Sequence, residues 1–324
     1  MNKSFFENLR GLELTTGGNP IAREDRVIFK GFLRLLTNVT IVYRYAGNNY
    51  LNCIFKSDTS NIEVLSKHIF LFGDKGKLFY DNLNQKTFNI DFTEIEHVNF
   101  KFIYCKLHKV FVETERLKSE KTKNAVLSMD NYDSIATFFY NITADEWFSK
   151  VMKLSYDDKI ILKDYYIAFL HTVGLSGFGK NTYFLSTSSK IDFCESLYQK
   201  NLAENHESGI IIVGWTNKQN QINICGKKNS THIKKMGFPI INNKLFPNQY
   251  EITMKCGLLP HFIIGFIYGD RFEINPYILR KFNISTVCND GVPVDQTDFQ
   301  KFISETNIKS YYNVCDGYYW MNNN

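Results

Sequence analysis

The chain has 324 residues, of which 44% are hydrophobic, 15% aromatic and 22% charged; this excludes a disordered polymer and leaves room for two ordinary domains. Its formal charge of +5, with a pI near 8.6, is spread as +3 over residues 1–140 and +2 over 141–324, which permits a nucleic-acid partner without arguing for one. No run reaches the ~20 apolar residues of a membrane span, Met1 to Gly18 lacks a signal-peptide core, and seven cysteines without a CxxC pair read as reduced, buried thiols, so a cytoplasmic protein without membrane contact is expected.

From about Asn38 to Glu115, short apolar runs are broken by turn residues: VTIVYRYAGNNYLNCIFK around Gly47-Asn48-Asn49, then HIFLFGDKGKLFYDN around Asp74-Lys75-Gly76. Apolar runs flanking such turns are hairpin signals, so this part is expected to be β-rich. The densest basic segment, Lys101 to Lys123, reads as a solvated hairpin face. The polar stretch Leu117 to Asn124 is the best linker. It divides the chain into a β-rich N-terminal domain over 1–135, for target capture or partner docking, and a second domain over 136–324.

The second domain opens with Thr143-Ala-Asp-Glu146 and Ser155-Tyr-Asp-Asp158, two capping patterns that predict short helices. They lead into a strand expected over Tyr165 to Leu170, ending at His171. Ser189-Lys-Ile-Asp192 caps a further helix to about Leu202, and strands are expected over 209–215, 221–225, 249–256, 261–269 and 271–279. The fold class is therefore α+β.

Gly174 to Lys180, GLSGFGK, has the glycine and lysine spacing of a phosphate-binding loop. Such a loop needs a Ser or Thr next, to hold magnesium, and then a helix whose N-terminus faces the phosphates. Asn181 and the strand-like Tyr183-Phe184-Leu185 follow instead, which excludes a nucleotide triphosphatase.

A strand ending in His171-Thr172, a glycine loop, and a strand reading Tyr183-Phe-Leu-Ser186-Thr187-Ser188 before a helix form another pattern. It resembles the NAD-binding half of the mono-ADP-ribosyltransferases, whose first strand carries an Arg or His, whose second carries Ser-Thr-Ser or a Tyr, and whose later strand supplies a Glu. Two glutamates qualify. Glu251 lies in Gln249-Tyr-Glu251, followed by a Leu-Leu-Pro-His-Phe-Ile-Ile-Gly run similar to the family's Gln/Glu-x-Glu strand and its sequel; Glu273 has neither companion, and Glu251 is preferred.

The resemblance covers roughly residues 143–280. It implies a split β-sandwich with flanking helices and NAD as co-substrate. Glu251 would hydrogen-bond the nicotinamide ribose and support an oxocarbenium-like charge, with Ser186 orienting it. His171 would hold the adenosine-side ribose, the Thr172 backbone the nicotinamide amide, and Gly174, Tyr183, Thr187 and Ser188 the rest of the dinucleotide, with Gly177, Gly179 and Lys180 near the phosphates. Gln249, on the same strand face as Glu251, would turn its amide to the acceptor, which suits a nucleobase or an asparagine better than arginine.

The chain is similar in these features to RNA-modifying toxins of toxin–antitoxin–chaperone phage-defence systems, which implies an RNA substrate and an antitoxin partner. The insert at Lys227 to Asn248 is read as a substrate loop. A protein acceptor, a NAD glycohydrolase and a non-catalytic binding module are the alternatives. No metal is expected, since His206, His232 and His261 have no ligand spacing with any Cys.

Overall fold

The computed structural model describes residues 9, 11–55, 58–74, 97–174, 184–216, 221–222, 227–241, 246–255, 258, 260–280 and 287–292. In chain order the elements are β1 (Glu13–Thr16), β2 (Asn19–Pro20), α1 (Arg23–Leu35), β3 (Thr40–Gly47), α2 (Asn48–Phe55), α3 (Ile62–Phe72), α4 (His97–Phe111), α5 (Glu120–Leu127), α6 (Tyr132–Asn141), α7 (Ala144–Met152) and α8 (Tyr156–Val173). There follow β4 (Phe184–Ser188), α9 (Ile191–Asn205), β5 (Gly209–Thr216), β6 (Gln221–Ile222), α10 (Lys227–Lys235), β7 (Glu251–Lys255), β8 (Ile263–Tyr268), β9 (Arg271–Ile274) and α11 (Val287–Asp290). The class is mixed α and β, with one mixed sheet.

The chain forms two compact units, one of residues 1–84, 185–221 and 249–324, the other of 85–184 and 222–248. The expected division at 135/136 is thereby corrected: the first unit takes strands from both ends of the sequence. The nine strands run in the order β2-β1-β9-β8-β5-β3-β4-β7-β6. β3 pairs antiparallel with β5 along its whole length, from Thr40↔Thr216 to Gly47↔Gly209. β1 joins from the N-terminus, parallel to β9 with Glu13↔Arg271. All eight residues of β5 are buried, so the sheet's centre lies where the two ends of the chain meet.

Charge follows the units, not the halves of the chain. The first unit has 20 Lys and Arg against 20 Asp and Glu, and the second 18 against 13, so the net +5 belongs to the second.

Several expected strands are helices. His68 to Phe72 closes α3, which starts at Asn61, whose side chain accepts from the Glu63 amide. Asn48 and Asn49 open α2 in place of turning a hairpin. The linker stretch Leu117 to Asn124 enters α5 behind a Ser119 cap, and the basic segment from Lys101 begins on α4 and ends on α5. Tyr165 to Leu170 lies inside α8, capped by Ser155 and ended by Gly174 at φ 65°. That run is buried on every side, so it lacks the one-sided pattern of a surface helix and reads locally like a buried strand. The Thr143 capping box forms as expected.

The second unit is held by aromatic packing. Phe111 stacks on Phe139 at 5.9 Å and on Phe169 at 5.5 Å, and the fully buried Trp147 meets Phe238 edge-on at 4.8 Å. Tyr166 donates to the Pro239 carbonyl at 2.7 Å, and the Ile241 amide donates to the Tyr165 hydroxyl at 2.7 Å. The stretch read as a substrate loop thus contributes α10 and packs into this unit. Cys194 is buried, whereas Cys53 and Cys105 are exposed on helices, against the expectation of buried thiols. Among the described residues no helix is long and apolar enough to cross a membrane.

In the first unit, His261 is 1% exposed, and burial lowers its pKa to about 3. An unfolded His titrates near 6.5, so between these values the unfolded chain binds the extra proton and stability falls as pH falls. We expect urea unfolding of this unit to lose about 2 kcal/mol between pH 7 and pH 5 through this one ring. His261→Gln should flatten that dependence; an unchanged slope in the variant would assign the pH effect elsewhere.

Candidate active site

The site starts from the residues of β4, Phe-Leu-Ser-Thr-Ser, a strand that lies between β3 and β7 in the sheet. Its last two hydroxyls fasten it to the neighbouring segment: Thr187 Oγ1 donates to the Ile252 carbonyl at 2.7 Å and Ser188 Oγ to the Gln249 carbonyl at 2.8 Å. The Ser189 amide donates to the Tyr250 carbonyl at 3.0 Å. Ser189 is therefore not the cap of α9; the helix begins after Lys190, whose amide donates to Ser188 Oγ at 3.0 Å.

The remaining hydroxyl reaches a carboxylate. Ser186 Oγ donates to Glu251 Oε1 at 2.5 Å, and Thr253 Oγ1, two residues along β7, donates to the same oxygen at 3.3 Å. The first distance is that of a short charge-assisted bond. Both Ser186 and Glu251 are half-buried, so the carboxylate is aimed by protein hydroxyls without being sealed from a ligand.

On the other side of β4, Arg44 of β3 donates from Nη1 to the Ser186 carbonyl at 3.0 Å and from Nε to Asp74 Oδ2 at 2.8 Å. Its side chain stays 24% exposed. Three consecutive strands of the sheet therefore carry an Arg, a Ser and a Glu, all in the first unit. The expectation missed Arg44 because β3 was read only as one arm of a hairpin. A lone charge inside the apolar run Ile-Val-Tyr-Arg-Tyr was the signal available.

The other expected residues are placed as follows. His171 and Thr172 lie on α8, in the second unit, not at the end of a strand; Thr172 Oγ1 donates back to the Ala168 carbonyl at 3.2 Å. Gly174 is the left-handed end of that helix. Gly177, Gly179, Lys180 and Tyr183 lie outside the described residues. Gln249 closes a short 3-10 turn before β7, and Tyr250 stands between it and Glu251 at φ 48°. That left-handed residue interrupts extended backbone, so the expected sharing of a strand face by Gln249 and Glu251 does not hold.

Glu273, the rival carboxylate, is 0% exposed in β9. It accepts from Thr15 Oγ1 at 2.7 Å, from Ser66 Oγ at 3.1 Å and from the Gly18 amide at 3.3 Å, tying β1, the turn after it and α3 to β9. Among the described residues no three His, Cys, Asp or Glu gather in a metal-binding group. Asp158, which the capping pattern singled out, donates its amide to Ser155 Oγ at 3.2 Å and pairs through its carboxylate with His232 Nε2 at 2.7 Å.

No protein-family model, curated protein or solved structure matches this chain.

The two carboxylates should separate in a stability measurement. Glu273→Ala strands two hydroxyls and an amide in the core and should cost about 2–4 kcal/mol in urea unfolding. Glu251→Gln keeps an acceptor at a half-exposed position and should change stability by less than about 0.5 kcal/mol. Equal losses would mean that Glu251 is a structural group like Glu273.

Proposed function

We propose that the protein is an ADP-ribosyltransferase that cleaves NAD at Glu251 and transfers ADP-ribose to RNA. One observation carries the reading: Ser186 aims the Glu251 carboxylate while the adjacent strand supplies Arg44 (Ser186 Oγ to Glu251 Oε1, 2.5 Å; Arg44 Nη1 to the Ser186 carbonyl, 3.0 Å). An Arg, a Ser-Thr-Ser strand and a Glu on successive strands are the set the resemblance asks for, with Arg44 in place of His171 as the first-strand residue. The finer fold assignment, an ADP-ribosyltransferase-like split sandwich, belongs to the same proposal.

The chemistry needs few groups. NAD is an activated glycoside, and the bond between the nicotinamide nitrogen and ribose C1′ breaks with both electrons leaving on neutral nicotinamide. The carboxylate of Glu251 then faces a ribose that is gaining positive charge, and it stabilises that charge without moving. A hydrogen bond from the ribose 2′-hydroxyl to Glu251 holds C1′ in place, and Ser186 keeps the carboxylate from rotating away. Arg44 offers a planar, permanently charged donor to the diphosphate. The acceptor attacks C1′ and gives up its proton.

Two features favour a nucleic acid as acceptor. Tyr250, beside Glu251, is 53% exposed, and Lys190 Nζ lies 5.8 Å from its ring centroid. An exposed aromatic face with a cation next to it suits a stacked base. The whole net charge of the chain, +5, falls in the second unit, a positive body suited to a phosphate backbone. An enzyme of this kind in the cytoplasm would poison its own cell, so the reading includes an antitoxin partner and a role in phage defence.

The test is labelled NAD with a whole-cell lysate, wild type against Glu251→Gln, each divided between RNase and protease. Label that disappears with RNase, and is absent with Glu251→Gln, is the expected result. Label that survives RNase and is lost with protease makes the acceptor a protein. Nicotinamide release without label makes the enzyme a glycohydrolase, and intact NAD in every sample rules the transferase out.

A further inference from the structure

We propose that Asp74 and Tyr50 are a positioning pair: they hold the Arg44 guanidinium in one orientation beside Ser186 and so set how tightly the site takes the diphosphate of a dinucleotide. The proposal deepens the transferase reading and rests on it.

Arg44 is held on three sides. Nε donates to Asp74 Oδ2 at 2.8 Å, Nη1 donates to the Ser186 carbonyl at 3.0 Å, and the guanidinium carbon sits 5.5 Å from the Tyr50 ring centroid. The other carboxylate oxygen of Asp74 accepts from the Tyr50 hydroxyl at 2.9 Å. Both oxygens are thus occupied, and the side chain of Asp74 is 0% exposed. A carboxylate so enclosed cannot swing to another partner.

The position of Asp74 is itself tied to the site. Its amide donates to the Leu258 carbonyl at 2.9 Å, and the Leu258 amide returns a bond at 3.3 Å, an isolated antiparallel bridge just past β7. The contacts close a circuit: Glu251 to Ser186, Ser186 to Arg44, Arg44 to Asp74, and Asp74 back to the segment that follows Glu251. A guanidinium carries five N–H donors, and these two bonds leave most of the fork for an anion. Holding that fork in advance lowers the ordering cost of binding.

Electrostatics agree with the geometry. Burial opposes charge on Arg44, yet the attraction of Asp74 and the contact with Tyr50 outweigh it and raise its pKa above the ordinary guanidinium value. Burial, then the Asp74 charge, raises the Tyr50 phenol, which therefore stays a donor to the carboxylate.

The experiment is steady-state nicotinamide release at varied NAD for wild type, Asp74→Asn, Tyr50→Phe, Arg44→Lys and the Arg44→Lys/Asp74→Asn double variant. Asp74→Asn should raise KM about tenfold with kcat within about twofold, because contacts to a diphosphate remote from the breaking bond bind ground and transition states alike. Tyr50→Phe, which keeps the ring under Arg44 and removes one hydroxyl, should raise KM about threefold and carries the test if Asp74→Asn does not fold. The double variant should be no worse than Arg44→Lys, since Asp74 acts only through Arg44. A merely structural role would lower the active fraction, and hence kcat, without moving KM. An unmoved KM in both Asp74→Asn and Tyr50→Phe, or a full Asp74→Asn effect in the Arg44→Lys background, overturns the pair while leaving the transferase reading intact. A wild type that releases no nicotinamide overturns that reading, and the pair with it.

Discussion

The bond from Ser186 to Glu251 depends on how β4 and β7 are fastened together. A carboxylate side chain has three rotatable bonds, and a 2.5 Å contact with a hydroxyl on the next strand survives only if the register between the strands cannot slip. Thr187 and Ser188 remove that freedom with hydroxyls spent on main-chain carbonyls of the Glu251 segment. Of the three hydroxyl residues of β4, two fix register and one aims the acid. A strand with only Ser186 would leave the geometry of the site to main-chain pairing alone.

Glu273 and Glu251 show how the same side chain serves two ends. Glu273 is enclosed by donors from three parts of the first unit and is 0% exposed, so it joins segments that the chain brings together from opposite ends. Glu251 is held by hydroxyls on its own strand and the next, and is half-buried on β7, one strand in from the end of the same sheet. Enclosure by neutral donors makes a carboxylate a fastener; aiming with a side left open to solvent makes it available for chemistry. Position on a strand does not distinguish them, which is why sequence spacing had to.

What could be read in the sequence was local. The caps at Thr143 and Ser155 are decided within four residues, and both form. The Ser186 and Glu251 strands were legible because short β-prone runs carried their polar residues in a recognisable order. Tyr165 to Leu170 failed because a fully buried helix and a buried strand share an apolar run, and nothing within it says which. His171 fell with that strand. Arg44 could not be paired with Ser186 from spacing, since 142 residues separate them and the sheet order that joins β3 to β4 is a property of the whole unit. Gln249 was misplaced for the opposite reason: a single left-handed residue, Tyr250, turns the backbone where alternation predicts continuity.

Charge shows the same effect on a larger scale. Cut at residue 140, the sequence carries +3 and +2 and argues for no partner. Sorted by the two units into which it folds, it carries 0 and +5. The difference comes from topology alone: the basic stretch 1–84 (+3) falls in one unit with the acidic segments 185–221 (−1) and 249–324 (−2), which cancel it, and the lysines of α4, α5, α7 and α10 collect in the other unit. A polyanion responds to the local field of a folded body and not to an average along the chain. The excess positive charge that a polyanion would meet therefore lies on the second unit, which includes the lysine-rich α10 expected from the sequence to be a loop of the site. In this arrangement the unit that holds the candidate carboxylate is neutral overall, so on the proposed reading its hold on an anionic dinucleotide would rest on a cation fixed at one place. Arg44, fixed beside Ser186 by Asp74, is placed for that role, and its orientation, more than the protein's average charge, would then govern what the site binds.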